Sequence, residues 1–234
     1  MKLEGAVVLV TGANRGLGLE FARQALARGA AKVYAGARDP SKVTLPGVIP
    51  VKLDVTDAAN VAAVAEQCKD VTLVVNNAGI ARLGGVVEGD PAAQLREHLE
   101  TNVFGMLNVS RSFADTLGAN GGGALINVLS LVSWLNVPML GTYSVSKAAA
   151  WSLTNGLRHE LKKQGTQVVG LHVGFIDTDL TAGLDAPKVT TGQVVNQTYA
   201  GLEAGAEEVT ADDASVHVKS VLSQGVYLAE VDAA

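Results

Sequence analysis

Cysteine is almost missing from this chain of 234 residues: Cys68 stands alone, so no internal disulfide can form. A reducing, intracellular compartment fits that count. Cys68 lies in an apolar helical pattern and reads as core filler. Charge is sparse at 18%, and a net charge of −5 offers no general attraction to nucleic acid or to an anionic membrane surface. No apolar stretch approaches a signal-peptide core or a membrane span, which makes the cytoplasm the expected location. The four histidines, at 98, 159, 172 and 217, show no metal-ligand spacing with Cys68 or with each other. Surface or packing roles are expected of them, with His98 and Glu97 on one wet helix face. Internal repeats and low-complexity linkers are absent too, and one domain over 1–234 is expected.

What the chain does have is an apolar fraction of 48%, arranged in short β-branched runs that alternate with longer helical patterns. Ala6 to Val10 is apolar without alternation, as expected of a parallel strand buried on both faces. A glycine-bearing turn over 11–18 leads into a helix to about Arg28, ended by Gly29. Further strands are expected at 32–37, 48–53, 71–75, 124–129 and 167–173, with a short one at 208–211. Helices are expected from a cap at Thr56 or Asp57 to about Cys68, and from Asp90-Pro91 to about Leu117 with a break near Asn102. Others fall over 142–163, near 191–204 and near 213–223. This order predicts an α/β fold, a Rossmann-type doubly wound parallel sheet of about seven strands with helices on both faces.

The first turn reads Thr11-Gly-Ala-Asn-Arg-Gly-Leu-Gly18, directly between strand and helix. Glycines there allow a tight turn, backbone access to a pyrophosphate and close packing of helix on strand. The helix N-terminus offers unpaired N–H groups to phosphate. The spacing, Gly-x3-Gly-x-Gly, resembles the fingerprint of the short-chain dehydrogenase/reductase family, which binds NAD or NADP at this turn. That resemblance assigns Gly12, Asn14, Arg15, Gly16, Leu17 and Gly18 to the cofactor. Asp54-Val55 is similar to the family's adenine-contacting pair. Asn76-Asn-Ala-Gly79 matches its sheet-stabilising motif, which puts Asn76, Ala78 and Gly79 at the cofactor ribose. Gly174, Ile176 and Thr178 resemble its Pro-Gly-x3-Thr stretch over the nicotinamide, with Val173 in place of the proline.

The end of the second strand bears on which dinucleotide binds. A carboxylate there pairs with the ribose 2′-hydroxyl of NAD and repels a 2′-phosphate. Here Gly36-Ala37-Arg38 carries no acid at the strand end, although Asp39 follows. Arg38, with Arg15 in the glycine turn, favours NADP(H) over NAD(H) through charge-assisted contacts to the 2′-phosphate.

Tyr143-Ser-Val-Ser-Lys147 sets a phenol and an ammonium four residues apart, on one face of a helix. Reducing a ketone needs hydride at carbon and a proton at the nascent alkoxide. A tyrosine titrates near ~10, and a nearby ammonium is expected to lower that value toward working pH. Ser130 lies thirteen residues before Tyr143, the family's interval for its catalytic serine, where it would hold the substrate oxygen. Asn102, in Thr-Asn-Val-Phe-Gly, matches the family's fourth catalytic position, which bends the helix and holds a water touching the lysine. By the same resemblance Tyr143 and Lys147 also touch the cofactor. The likeness runs from about Lys2 to Leu180. Beyond that the family's Asp-Gly-Gly tail is absent, leaving a short lid over roughly Asp179–Lys188.

Residues between Ser130 and Tyr143 face the substrate on this reading: Leu131, Trp134, Leu135, Val137, Met139 and Leu140. With Phe175 and the loop Ile80–Leu83 they predict a mainly apolar pocket, Arg82 being the one charge near it. The expectation is therefore an NADPH-dependent carbonyl reductase or alcohol dehydrogenase acting on hydrophobic ketones, aldehydes or secondary alcohols. A non-catalytic NADPH-binding sensor would share the nucleotide turn but have no use for Ser130, Tyr143 and Lys147 together. An epimerase or dehydratase could use the same Tyr/Lys pair, but such relatives are longer. The resemblance also implies a homodimer or homotetramer built on the helices near 92–117 and 142–163.

Overall fold

A computed structural model describes residues 1–183 and 185–229. Its strands are β1 (Val7–Thr11), β2 (Lys32–Ala37), β3 (Ile49–Lys52), β4 (Leu73–Asn76), β5 (Ala124–Val128), β6 (Gln167–His172) and β7 (Glu208–Thr210). They form one seven-stranded sheet in the order β3-β2-β1-β4-β5-β6-β7. Every pairing is parallel. The helices are α1 (Gly16–Ala27), α2 (Ala58–Gln67), α3 (Pro91–Leu99), α4 (Gly105–Ala119), α5 (Gly141–Leu161), α6 (Thr191–Glu203) and α7 (Asp213–Val221). None of the described helices is long and apolar enough to cross a membrane.

The unbroken apolar runs have a simple cause: both faces of the central strands are covered. Val8 and Val10 of β1 point into one core with Phe21 of α1 and Tyr199 of α6. Leu9, between them, points into the other with Val61 of α2, Phe113 of α4 and Leu157 of α5. Burying such a side chain contributes about 1.5–3 kcal/mol, so neither face can be left to water. Side-chain caps set several boundaries. Asp57 accepts from Ala59 N and Asn60 N, each at 3.0 Å, ahead of α2. Asp90 accepts from Ala93 N at 3.0 Å, with Pro91 opening α3.

The helix expected from Pro91 to about Leu117 is two helices joined by a π-helical turn over Glu100–Phe104. Such a turn carries an extra residue, and here it leaves Asn102 buried. His98 corrects another expectation. Glu97 is exposed, but His98 is fully buried, because α3 packs on α5 through the neighbouring face. Its Nε2 accepts from Arg82 N at 3.0 Å and its Nδ1 meets Thr142 Oγ1 at 3.1 Å. Burial lowers its pKa, and the hydrogen bond from Arg82 N requires a lone pair on Nε2.

Strand order reverses between β1 and β4. Open parallel sheets bind ligands outside the carboxyl ends of their strands at such a point. The segments that follow β1, β2, β3, β4, β5 and β6 converge there.

Candidate active site

The glycine turn after β1 is shaped by contact with the end of β4. Gly12 has φ +66, and a Cβ on Gly18 would stand 2.2 Å from Gly12 O and 2.5 Å from Asn77 Nδ2. No side chain larger than hydrogen fits at Gly18. Asn77 Nδ2 donates to Thr11 O at 2.9 Å, and Thr11 Oγ1 accepts from Asn77 N and Ala78 N at 3.0 and 2.9 Å. Thr11 and Asn77 therefore lock turn to strand, a role the motif spacing does not reveal. Asn76 lies deeper, donating to Ser110 Oγ at 3.0 Å and Asn127 Oδ1 at 2.8 Å. Gly16 and Leu17 begin α1, behind Asn14. Arg15 holds the N-cap position with no side-chain cap bond, and the first turn of α1 contains no acid. That uncapped N-terminus, against a backbone with no Cβ in the way, fits a dinucleotide pyrophosphate.

Arg38 is exposed just past β2. The following acid is occupied: Asp39 accepts from Ser41 N at 3.1 Å and Ser41 Oγ at 2.7 Å. Those bonds hold its carboxyl below the ordinary range. Arg15 pairs with Asp179 at 3.3 Å, both side chains largely exposed. Beyond β3, Asp54 accepts from Thr56 N and Oγ1 at 3.0 and 2.7 Å, while Val55 is buried under Gly105 of α4.

Ser130, immediately beyond β5, caps a short 3-10 turn over Leu131–Ser133. Its Oγ donates to Val173 O at 3.3 Å. Tyr143 and Lys147 lie on α5, with the Lys147 Nζ 5.7 Å from the Tyr143 ring centroid. Asn102 comes up from the π-helical turn: Oδ1 accepts from Ile80 N at 2.9 Å, and Nδ2 donates to Ile80 O and Ser146 Oγ, each at 3.0 Å. Gly79 sits against it, its Cβ position 3.1 Å from Asn102 Oδ1.

Electrostatics at this pair depart from the expectation. Burial pushes the Tyr143 phenol up to about 12, although the Ser130 hydroxyl beside it works in the opposite sense. Burial also pulls the Lys147 ammonium down to about 8. The lysine lies over the ring and donates to Val128 O at 2.8 Å, so loss of water outweighs its attraction for a phenolate.

The loop after β6 is held at both ends. Gly174 N donates to Asp212 Oδ2 at 2.6 Å, and the same carboxylate caps α7 by accepting from Ser215 N at 2.7 Å. Asp212 thus clasps the loop, a contact invisible in the motif. Ile176 bridges to Val189, closing the base of a short lid, and Thr178 caps a 3-10 turn over Asp179–Thr181. Leu184, within the expected lid, lies outside the described residues.

Leu131, Leu135, Val137, Met139 and Phe175 are partly exposed around Ser130 and Tyr143. Trp134 and Leu140 are buried. The Trp134 ring stacks on His172 at 3.8 Å and meets Trp151 edge-on at 6.5 Å, so it packs toward β6 and α5 and does not stand open. Arg82 is paired with Glu97 at 2.6 Å.

The chain matches the family model described as short chain dehydrogenase over residues 6–188. It is 37% identical over 191 residues to a galactitol 2-dehydrogenase (L-tagatose-forming) from Cereibacter sphaeroides, a match covering 77% of this chain and 75% of that protein. With a gluconate 5-dehydrogenase from Gluconobacter oxydans it is 31% identical over 221 residues, covering 88% and 85%. A solved short chain dehydrogenase from Burkholderia cenocepacia J2315, in complex with NADP, superposes with a TM-score of 0.93 at 38% identity, covering 98% of this chain and 100% of that one. The matched span takes in the segments that follow β1 through β6 at the carboxyl edge of the sheet, and the chain belongs to the short-chain dehydrogenase family of oxidoreductases, which bind a nicotinamide cofactor.

Proposed function

We propose that this chain is an NADPH-dependent carbonyl reductase or alcohol dehydrogenase, moving hydride between the nicotinamide and a ketone, aldehyde or secondary alcohol. The observation that carries it is the convergence of Ser130 from the end of β5 with Tyr143 and Lys147 from α5, beside the lid residues Gly174, Ile176 and Thr178.

Gly12, Gly16 and Gly18 with the N-terminus of α1 would hold the pyrophosphate. Asp54 and Val55 would meet the adenine, and Asn76, Ala78 and Gly79 would border the ribose. Arg38, with the neighbouring acid engaged by Ser41, supports NADP(H) over NAD(H). Arg15 would join it on the 2′-phosphate. When bound, the cofactor supplies or accepts the hydride.

Ser130 Oγ would hold the substrate oxygen, and Tyr143 Oη would give it a proton. A phenol near 12 is fully protonated at neutral pH yet far more acidic than the alcohol that forms, so proton delivery to the alkoxide is downhill. Lys147, still mostly charged at pH 7, would orient the phenol and restore its proton. Asn102 would keep the π-helical turn fixed against α5.

Leu131, Met139 and Phe175, with exposed Leu83 next to the Gly84–Met139 backbone contact, support an apolar substrate. The galactitol and gluconate dehydrogenases act, by name, on a polyol and a sugar acid; the side chains here argue for something less polar. Exposed Phe104 and Val145, on the π-helical turn and α5, support self-association as a homodimer or homotetramer.

The test is NADPH oxidation against a panel of aryl ketones, aliphatic aldehydes and ketohexoses, wild type beside Tyr143→Phe. Turnover of at least one carbonyl, reduced about hundredfold or more by the substitution, is expected. Equal rates in the two proteins would refute the assignment.

A further inference from the structure

Behind Ser130, on the side away from the cleft, lies a buried polar cluster that the proposed chemistry does not use. His172, the last residue of β6, is fully buried. Its Nδ1 lies 3.1 Å from Ser130 O, and its Nε2 lies 3.6 Å from Glu208 Oε1 of β7, with no hydrogen-bond partner among the described residues. Glu208 is fixed in turn: Lys219 Nζ of α7 donates to Oε2 at 2.6 Å and Trp151 Nε1 of α5 donates to Oε1 at 3.2 Å. One further charge flanks the ring. Arg158 of α5 and His172 lie on the same face of Gly170, 3.0 and 3.6 Å from where its Cβ would stand.

A carbonyl oxygen can only accept, so the bond to Ser130 O places a proton on Nδ1. Nε2 then faces the Glu208 carboxylate, so the ring spans from the Ser130 carbonyl to β7, and the backbone of Ser130 is tied to where Glu208 holds the ring.

We propose that His172, braced by Glu208, is a positioning residue for Ser130: the ring, held between Glu208 and the Ser130 carbonyl, sets where the Ser130 hydroxyl stands relative to Tyr143. Consistent with this coupling, His172 is the largest influence holding the Glu208 carboxyl well below the usual range, ahead of Lys219 and Trp151, which act against the cost of burial. The same cluster gives β7 and α7, where the resemblance to the family weakens, a role in shaping the site. The inference rests on the proposed role of Ser130 in holding the substrate oxygen.

The ring also carries its own reporter. Trp134 stacks on His172, and Trp151 bonds Glu208, and these are the chain's 2 tryptophans. Tryptophan emission of the folded, cofactor-free protein should move in His172→Leu and return toward wild type in His172→Asn. Asparagine keeps an amide donor near the Nδ1 position and loses the second ring nitrogen.

Steady-state reduction of an aryl ketone and of a ketohexose by NADPH supplies the second readout. His172→Leu should lower kcat about tenfold with the NADPH dissociation constant unchanged. His172→Asn should recover kcat to within about threefold of wild type. Wild-type kcat in a folded His172→Leu, or a kcat in His172→Asn no better than in His172→Leu, overturns the proposal. Ser130→Ala is run in parallel: if it is inactive while His172→Leu matches wild type, only the positioning role fails. If Ser130→Ala is itself fully active, the reading of Ser130 fails. Should His172→Leu not fold, Glu208→Gln decides: loss of the brace should lower kcat severalfold with NADPH binding unchanged, and wild-type kcat overturns the proposal.

Discussion

Asn102 Nδ2 donates to Ser146 Oγ across 3.0 Å, and that hydroxyl donates in turn to Tyr143 O at 2.7 Å. One carboxamide therefore joins the π-helical turn to the first turn of the helix that carries the phenol. Asn102→Ala strands Ile80 N and Ile80 O, takes away the donor to Ser146 Oγ, and should cost about 2–4 kcal/mol. Ser146→Ala, which breaks only the outer link, should cost about 1 kcal/mol. Urea denaturation of the three proteins measures both differences.

Coenzyme choice should follow charge at the end of β2. Arg38→Glu is expected to weaken NADPH binding by about ten- to a hundredfold, the scale on which repulsion replaces a charge-assisted hydrogen bond, and to leave NADH within about threefold. Calorimetry with each coenzyme checks it. Equal weakening of both would place the arginine away from the 2′-phosphate.

Two glycines should respond in opposite directions. Gly18→Ala forces a methyl onto Gly12 O and Asn77 Nδ2, both under 3 Å away, and should cost about 3 kcal/mol or more together with coenzyme binding. Gly156, inside α5, has nothing within 4 Å of its Cβ position. Gly156→Ala should therefore stabilise by about 0.5–1 kcal/mol, visible as a higher Tm.

Lys147 gives a pH signature whose sign is fixed by its depressed value. Folded, it releases its proton near 8; unfolded, near 10.5. Between these values the unfolded chain binds more protons, so this group's contribution to stability rises with pH there and is at its worst below 8. Lys147→Met removes that dependence. Any advantage of the variant should be largest near pH 7 and shrink by about 1.4 kcal/mol per unit from pH 8 to 10, before Tyr143, shifted in the opposite sense, takes part. Urea denaturation of both proteins at several pH values measures it. Wild-type carbonyl reduction should decline above about pH 8 as the ammonium is lost.

Much of this architecture could be read from local signals. Gly29, Asp57 and Asp90-Pro91 end or begin helices through their own backbone preferences, and β2 falls at residues 32–37 as expected. Ser130, Tyr143, Lys147 and the glycine turn converge because each lies where a strand or helix of a parallel sheet must deliver it. What stayed hidden depends on partners far along the chain. Asp212 caps a helix like any other aspartate, and only the fold reveals that its second oxygen holds Gly174. His98 follows an exposed glutamate by one residue, yet helix rotation sends it into the α3–α5 contact. The raised Tyr143 value escapes the sequence for a related reason: four-residue spacing brings an ammonium alongside, but says nothing of how little water reaches either group.

Cys68 closes α2 against the sheet, 2% exposed, with burial raising its thiol to about 11. Being the sole sulfhydryl, it turns the protein into its own clock for opening events. An aromatic disulfide reagent can tag it only while α2 is lifted away, so labelling speed across a denaturant series reads how often that half of the core breathes.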